Sequence, residues 1–348
     1  MTSRQRLLAA LRCQRPDRVP VSPFGLGHLD PKGAAAAELI ARTDPFLTVG
    51  LGGNVFAGAA VEATSRQEGA ETVTCIATPC GHLVQRYRRT AITGCTVEFP
   101  CKSADDVEAY LSIPFVPCVP QAEPFLQLRA DTGDEALVLA GIGDAICFPA
   151  TILSPEDLCL LWMDDRDLLR RCVEVAHERL LTFVDAACRA GVDGFRIVGG
   201  EYATEQLGPG GFDALVAPCD AELVALMHRH GAIAYYHNHG SVSGYLETFA
   251  DLGIDALDPL EVPPYGDVDL ADAHRRIGHR VCLVGGLDDM EVLETRGEEE
   301  VRRMGRAHLE AVGHVGGFCL GGTASGTYAE HAARNFIALA EESVRFCS

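Results

Sequence analysis

The stretch "GFRIVGGEYATEQLGPGGFDALVAPCDAELVALMHRHGAIAYYHNH", residues 194–239, decides the fold. It opens on an apolar run ending in two glycines, GFRIVGG (194–200). FDALVAPCDAELVALMHRHG follows, with apolar residues at helical spacing and a closing glycine, the usual helix stop. A second apolar run, AIAYYHN (232–238), comes next. Runs of this length without polar alternation are how strands buried on both faces read, so the unit predicts strand, helix, parallel strand.

Working outward, the same unit recurs. EALVLAG (135–141), IDALDPL (254–260), RVCLVGG (280–286) and GGFCLGG (316–322) read as further strands. DRDLLRRCVEVAHERLLTFVDAACRAG, VSGYLETFADLG, LADAHRRIG and EEVRRMGRAHLEAVG read as further helices. With no long linker between units, the pattern predicts an α/β fold, a closed (β/α)8 TIM barrel rather than an open doubly wound sheet. Before it, SRQRLLAALRC predicts a helix in an N-terminal extension, and VPVSPFG a first strand. TVTCIATPCGHLVQRYRRTAITGCTVEFP alternates like an antiparallel β-hairpin inserted early. One domain over residues 1–348 is the expectation.

The chain is 47% apolar with a formal charge of −20, which permits a large core and repels polyanions. Nucleic acid and anionic membrane surfaces are therefore excluded as partners. The fourteen cysteines are scattered singly through apolar and helical contexts with no CxxC, the usage of a reducing compartment. No stretch reaches about 18 apolar residues and no signal peptide is legible, so a cytoplasmic location is expected. Lys32 and Lys102 are the only lysines and neither adjoins an apolar strand, which removes Schiff-base chemistry.

A barrel carries its chemistry where strands hand over to loops at the C-terminal face. Asp144, Glu201, His237, His239, Asp258, Glu261, Asp288, Thr323 and Ser325 fall there. In an extended chain His237 and His239 point the same way. With Glu201 from the preceding strand end they make two imidazoles and a carboxylate, a ligand set used by catalytic zinc. Cys319 offers a thiolate but lies one or two positions deeper, and ranks below Glu201. The same residues have plainer uses: packed histidines, a salt-bridged Glu201, and Asp258 and Glu261 as helix caps or as hydrogen-bond partners of a histidine nitrogen. GGLDD and LGGTASG read as weak phosphate cradles, since no basic residue follows them. His177, His228, His230, His274 and His308 lie on helices or at their ends and are expected at the surface.

Three segments carry a resemblance: RQRLLAALRCQRPDRVPV, residues 194–261 from GFRIVGGEYAT to LDPLE, and GGFCLGGTASGTYAEHAARNFIALAEES. Through them the chain resembles the uroporphyrinogen decarboxylase superfamily of (β/α)8 barrels over nearly its whole length. True decarboxylases carry an early arginine-rich loop that clamps a tetrapyrrole. Here VPVSPFGLGHLDPKG stands in its place without an arginine. The chain is more similar to the branch of zinc-dependent methyltransferases that work with corrinoid proteins, whose HxC motif reads here as His237 and His239. Their late cysteine falls nearer Thr323 or Ala324 than Cys319. The resemblance implies a zinc-dependent enzyme moving a methyl group between a methoxylated small molecule and a separate corrinoid protein. Cobalamin would arrive on that partner, because the chain has no DxHxxG motif. Zinc would sit on Glu201, His237 and His239, while Tyr236, Tyr202 and Asp258 orient substrate or ligands, and a homodimer is the implied assembly. A second expectation is a metal-free decarboxylase or lyase acting on a small carboxylated substrate through His237 and Asp258. A third is a binding barrel without catalysis.

Overall fold

The computed structural model describes residues 1–90, 93–323 and 326–348. Eight parallel strands form the central sheet: β1 (Val21–Ser22), β2 (Phe46–Gly50), β7 (Leu137–Gly143), β8 (Gly194–Val198), β9 (Ile233–His237), β10 (Ala256–Leu260), β11 (Cys282–Gly286) and β12 (Phe318–Gly321). Their order is β1-β12-β11-β10-β9-β8-β7-β2, and a parallel bridge between Phe24 and Phe46 joins the two edges into a barrel. All six repeated apolar runs are barrel strands, and VPVSPFG supplies β1. The second strand, FLTVG, escaped the sequence reading; it is short and loses its apolar character at its open end.

The predicted hairpin is the core of a larger insertion. β3 (Ala63–Glu68), β4 (Glu71–Thr78), β5 (Gly81–Arg89) and β6 (Gly94–Glu98) pair antiparallel in that order. Strand β3, ATSRQE, is exposed along its whole length, so no apolar alternation marked it.

Alternate strand residues build the interior. Phe46, Leu137, Leu139, Tyr235, Ala256, Cys282, Val284 and Cys319 pack with Phe24 in one cluster, which Leu7, Ala10 and Leu11 of the N-terminal helix Ser3–Leu11 join from below. That helix starts on a capping box, Thr2 with Gln5, and stops at Arg12. The intervening strand residues face the outer helices, such as the amphipathic Arg166–Arg189 capped by Asp165. The fourteen cysteines are all free thiols. No described helix is long and apolar enough to cross a membrane.

Two expectations about single residues are overturned. His177 is buried and bonds Glu222 at 3.0 Å, and burial lowers the pKa of His308 below the ordinary histidine value. His228, His230 and His274 also hold partners: Asp255, Asp185 and the Gly316 carbonyl. His228 and His230 lie at the surface as expected, while their bonds tie the helix to its surroundings.

Candidate active site

Strand β9 delivers the two histidines. Tyr235 and His237 face the barrel interior, Tyr236 faces outward, and His239 lies just past the strand end. The imidazoles of His237 and His239 meet edge to face with centroids 4.6 Å apart, so the pair does share one side.

Each imidazole is held by a carboxylate from the next strand. His237 Nδ1 lies 2.7 Å from Asp258 Oδ1, and both side chains are almost wholly buried. The register of β9 and β10 places Asp258 directly opposite His237. Pro259 follows it, has no N–H for the ladder, and the pairing of β10 with β11 slips between Leu257 and Leu260. The displaced chain then brings Glu261 to His239 Nδ1 at 3.2 Å and to the Gly240 amide at 2.8 Å. The hydrogen bond that Glu261 accepts from His239 raises the His239 pKa above the ordinary value. Both Nε2 atoms are left without a protein partner among the described residues.

The other proposed metal ligands make contacts of their own: Glu201 lies near enough to His239 to favour its charged form but bonds its own loop. Glu201 begins the short helix Glu201–Thr204, and its Oε2 accepts from the Gly199 amide at 3.2 Å, closing its own loop. Cys319 is fully buried in the interior cluster with its Sγ 3.7 Å from that of Cys282. Its neighbours there are apolar, and the N-terminal helix closes the space beneath. The expectation that Cys319 joins the histidines is therefore corrected. Among the described residues no three His, Cys, Asp or Glu side chains gather at ligand spacing. A resident zinc held by Glu201, His237 and His239 does not fit this arrangement.

Tyr236 is also corrected. It points away from the barrel interior and donates to Asp220 Oδ2 at 2.6 Å, with Asp144 Oδ2 at 3.5 Å. Asp144 ends β7 and Asp220 lies on the helix Ala217–Arg229, both fully buried. Burial raises both carboxyl pKa values, and the neighbouring carboxylates raise that of Asp144 further. This cluster sits behind the β8 turn, where a Cβ on Gly200 would come 2.6 Å from the Tyr236 hydroxyl and 2.5 Å from Asn238 Oδ1. Glycine is required there for packing. Tyr202 is half-buried beside the cluster, and burial pushes its pKa up to about 12.

Among the described residues of the late loops, carboxylates already accept from the amides that a phosphate would use. Asp288 caps the turn at Met290 and Glu291, while the buried Asp289 carboxylate accepts from the Thr323 amide at 3.1 Å. A carboxylate thus occupies the position an anion would need. Ser325 lies outside the described residues.

One interior residue was missed by the sequence reading. Arg196, in the middle of β8, faces inward with its guanidinium 4.4 Å from the centre of the Phe24 ring. It makes no ion pair or hydrogen bond among the described residues, and its buried Nε has no partner. Its register partners are Gly141 on β7 and Tyr235 on β9. An arginine inside an apolar strand run, GFRIV, was the available signal.

The fold and site define a (β/α)8 barrel with carboxylate-held histidines at the C-terminal ends of its strands. The chain belongs to the uroporphyrinogen decarboxylase (URO-D) family, whose sequence profile matches residues 2–342. Uroporphyrinogen decarboxylase of Shewanella amazonensis is 38% identical over 105 residues, which is 29% of this chain and 28% of that protein. The enzyme of Shewanella loihica is 41% identical over 73 residues, 20% of this chain and 19% of its own length. The matches thus span under a third of these curated relatives. Among solved structures, a methyltransferase from Methanosarcina mazei superposes with a TM-score of 0.66 over 98% of this chain and 99% of its own, at 16% identity. That likeness confirms the fold over the full length.

Proposed function

We propose that this chain is an acid–base enzyme of the superfamily, a metal-free decarboxylase or lyase acting on a small carboxylated molecule in the barrel mouth. The observation that carries the reading is the buried His237–Asp258 pair, with His237 Nε2 unengaged. Asp258 fixes the ring through Nδ1 and leaves Nε2 free for proton transfer, the arrangement of an oriented general acid. Loss of carbon dioxide leaves the bonding electron pair on carbon. The His237 Nε2 proton then forms the new C–H bond, and the neutral imidazole is reprotonated from solvent. His239 is the nearer relay: its ring touches that of His237, its side chain is 41% exposed, and Glu261 favours its charged form. The substrate is smaller and less charged than a porphyrinogen, because the early arginine clamp is missing and the chain carries −20.

A second reading, methyl transfer with a separate corrinoid protein, is favoured by the two unengaged Nε2 atoms. Carboxylate-held imidazoles are what metal sites use, but a metal here would need donors from outside the pair. Metal analysis by mass spectrometry on untagged protein, wild type and His239→Ala, separates the readings. No zinc after reconstitution is expected. About one zinc per chain, lost in the variant, would overturn the metal-free reading and direct assays to methoxylated substrates with a corrinoid protein. A screen of small carboxylic acids for carbon dioxide release, wild type against His237→Asn, tests the chemistry itself. Release that persists undiminished in the variant would reject His237 as the acid.

A further inference from the structure

A charged side chain taken out of water without a partner is costly, and buried arginines are ordinarily paired. Arg196, half-buried but with its Nε fully buried, departs from that pattern inside the barrel. That Nε is unpartnered, and the hydroxyl of Tyr235, its register neighbour on β9, lies near Asp258 without closing a well-formed hydrogen bond to it. Two such donors on adjacent strands share one chamber. Its floor is aromatic, with Phe24 and Phe46 both packed on the Tyr235 ring at 5.7 and 4.8 Å between centroids.

The chamber has room beside the arginine. Gly141, the other register partner of Arg196, and Gly50, in register with Gly141, are exposed, and a Cβ built on either meets nothing within 4 Å. Thr48, two residues before Gly50, is exposed as well. A cavity of about 330 Å³ borders the same strand ends, with Gly50, Asn54, Phe56, Gly141, Gly143 and Phe183 in its wall, while Arg196 and Tyr235 lie outside that wall. His237 follows Tyr235 by two residues on the same face of β9.

We infer that Arg196 and Tyr235 form a carboxylate-binding subsite that anchors the substrate beside His237. The guanidinium supplies a planar fork of N–H donors matching two carboxylate oxygens, and the phenol supplies a third donor. The aromatic floor takes a flat apolar body next to the carboxylate. The anchored group is one the substrate keeps. An arginine ion pair holds electrons on a carboxylate and stabilises the ground state, which opposes its departure. The substrate class is therefore a small acid with one retained carboxylate and a second reactive group toward His237. This subsite rests on the proposed reading for its orientation to His237, but its binding is measured separately.

Isothermal titration with benzoate and its neutral isostere benzamide tests it. Wild type is expected to bind benzoate and to bind benzamide at least about tenfold more weakly, the scale of a charge-assisted hydrogen bond. Arg196→Met should lose benzoate by about tenfold or more, Arg196→Lys should recover part of it, and Tyr235→Phe should weaken it several-fold. Thermal denaturation of each variant establishes that it is folded, and Tyr235→Phe keeps the test open if Arg196→Met is not. Equal affinity for benzoate and benzamide, or undiminished benzoate binding in folded Arg196→Met, would overturn the subsite. His237→Asn should bind benzoate as wild type does. If it does so while losing no turnover, the acid–base reading fails and the subsite stands.

Discussion

Two arginine sites of this barrel are treated in opposite ways. At the N-terminal face, Arg6 bonds Asp17 at 2.7 Å and Asp44 at 2.6 Å, and Arg18 bonds the other Asp44 oxygen at 2.6 Å. The Val21 amide also donates to Asp44, whose side chain is fully buried, so every charge in that knot is answered. In the chamber on the opposite side of the floor, Arg196 has an aromatic ring beneath it and no carboxylate beside it. The first arrangement serves stability, joining the N-terminal helix to the entry of β1 and β2. The second sustains an unmet charge, and a protein keeps such a residue where a ligand meets it.

The largest expected effect falls on the chemistry. His237→Ala should lower kcat by about 10²–10⁴-fold, the range of a single general acid. Urea unfolding of the variant should stay close to wild type, and a parallel loss of stability would reduce His237 to a packing role.

Next come the two arginine regions. Asp44→Ala removes the fully buried carboxylate that joins Arg6 and Arg18, leaves Arg18 without its ion pair, and should cost about 3–5 kcal/mol in urea unfolding. Arg196→Met, measured without ligand, should be neutral or stabilising, because it removes an unpaired charge. Comparable losses in both would erase the contrast between the two faces.

A smaller effect concerns the buried Asp144–Asp220 pair. Both pKa values are raised in the folded state, so folding favours protonation. Their contribution is full below the unfolded aspartate pKa, near 3.8, and is lost as pH rises through the raised folded values. The contribution of this pair should therefore fall with rising pH above about 4, by at most about 1.4 kcal/mol per pH unit for each proton in excess. Asp220→Asn should flatten that slope in denaturation measured at several pH values. An unchanged slope would place the titrating group elsewhere.

The smallest effect is at His239. Its raised pKa keeps it charged above the ordinary histidine range, and the associated stabilisation is lost as pH rises through the raised value. Glu261→Gln should return the His239 titration, followed by NMR of its ring protons, toward about 6.5. No movement would mean that Glu261 does not set it.

Much of the fold was legible in particular runs. GFRIVGG, AIAYYHN and their four counterparts are buried on both faces, and such strands announce themselves by unbroken apolarity. FLTVG and ATSRQE did not, because the first opens onto the chamber and the second is exposed throughout. At the site, period-two spacing placed His237 and His239 on one side. For the LDPLE segment, helix caps and partners of a histidine nitrogen were both open, and Asp258 and Glu261 take the second use.

By itself, then, the sequence determined the barrel, the strand end that carries the histidines and the carboxylates that hold them. These follow from local periodicity and from the order of strands around a closed sheet. The tertiary structure alone decided which way single side chains turn and which neighbours they meet. It sent Tyr236 outward to Asp220, set Cys319 against Cys282, returned Glu201 to its own loop and left Arg196 unpaired. Those outcomes depend on strand register, on a proline-induced slip in β10 and on contacts between residues far apart in the chain. Spacing along one strand cannot encode a partner that another strand supplies.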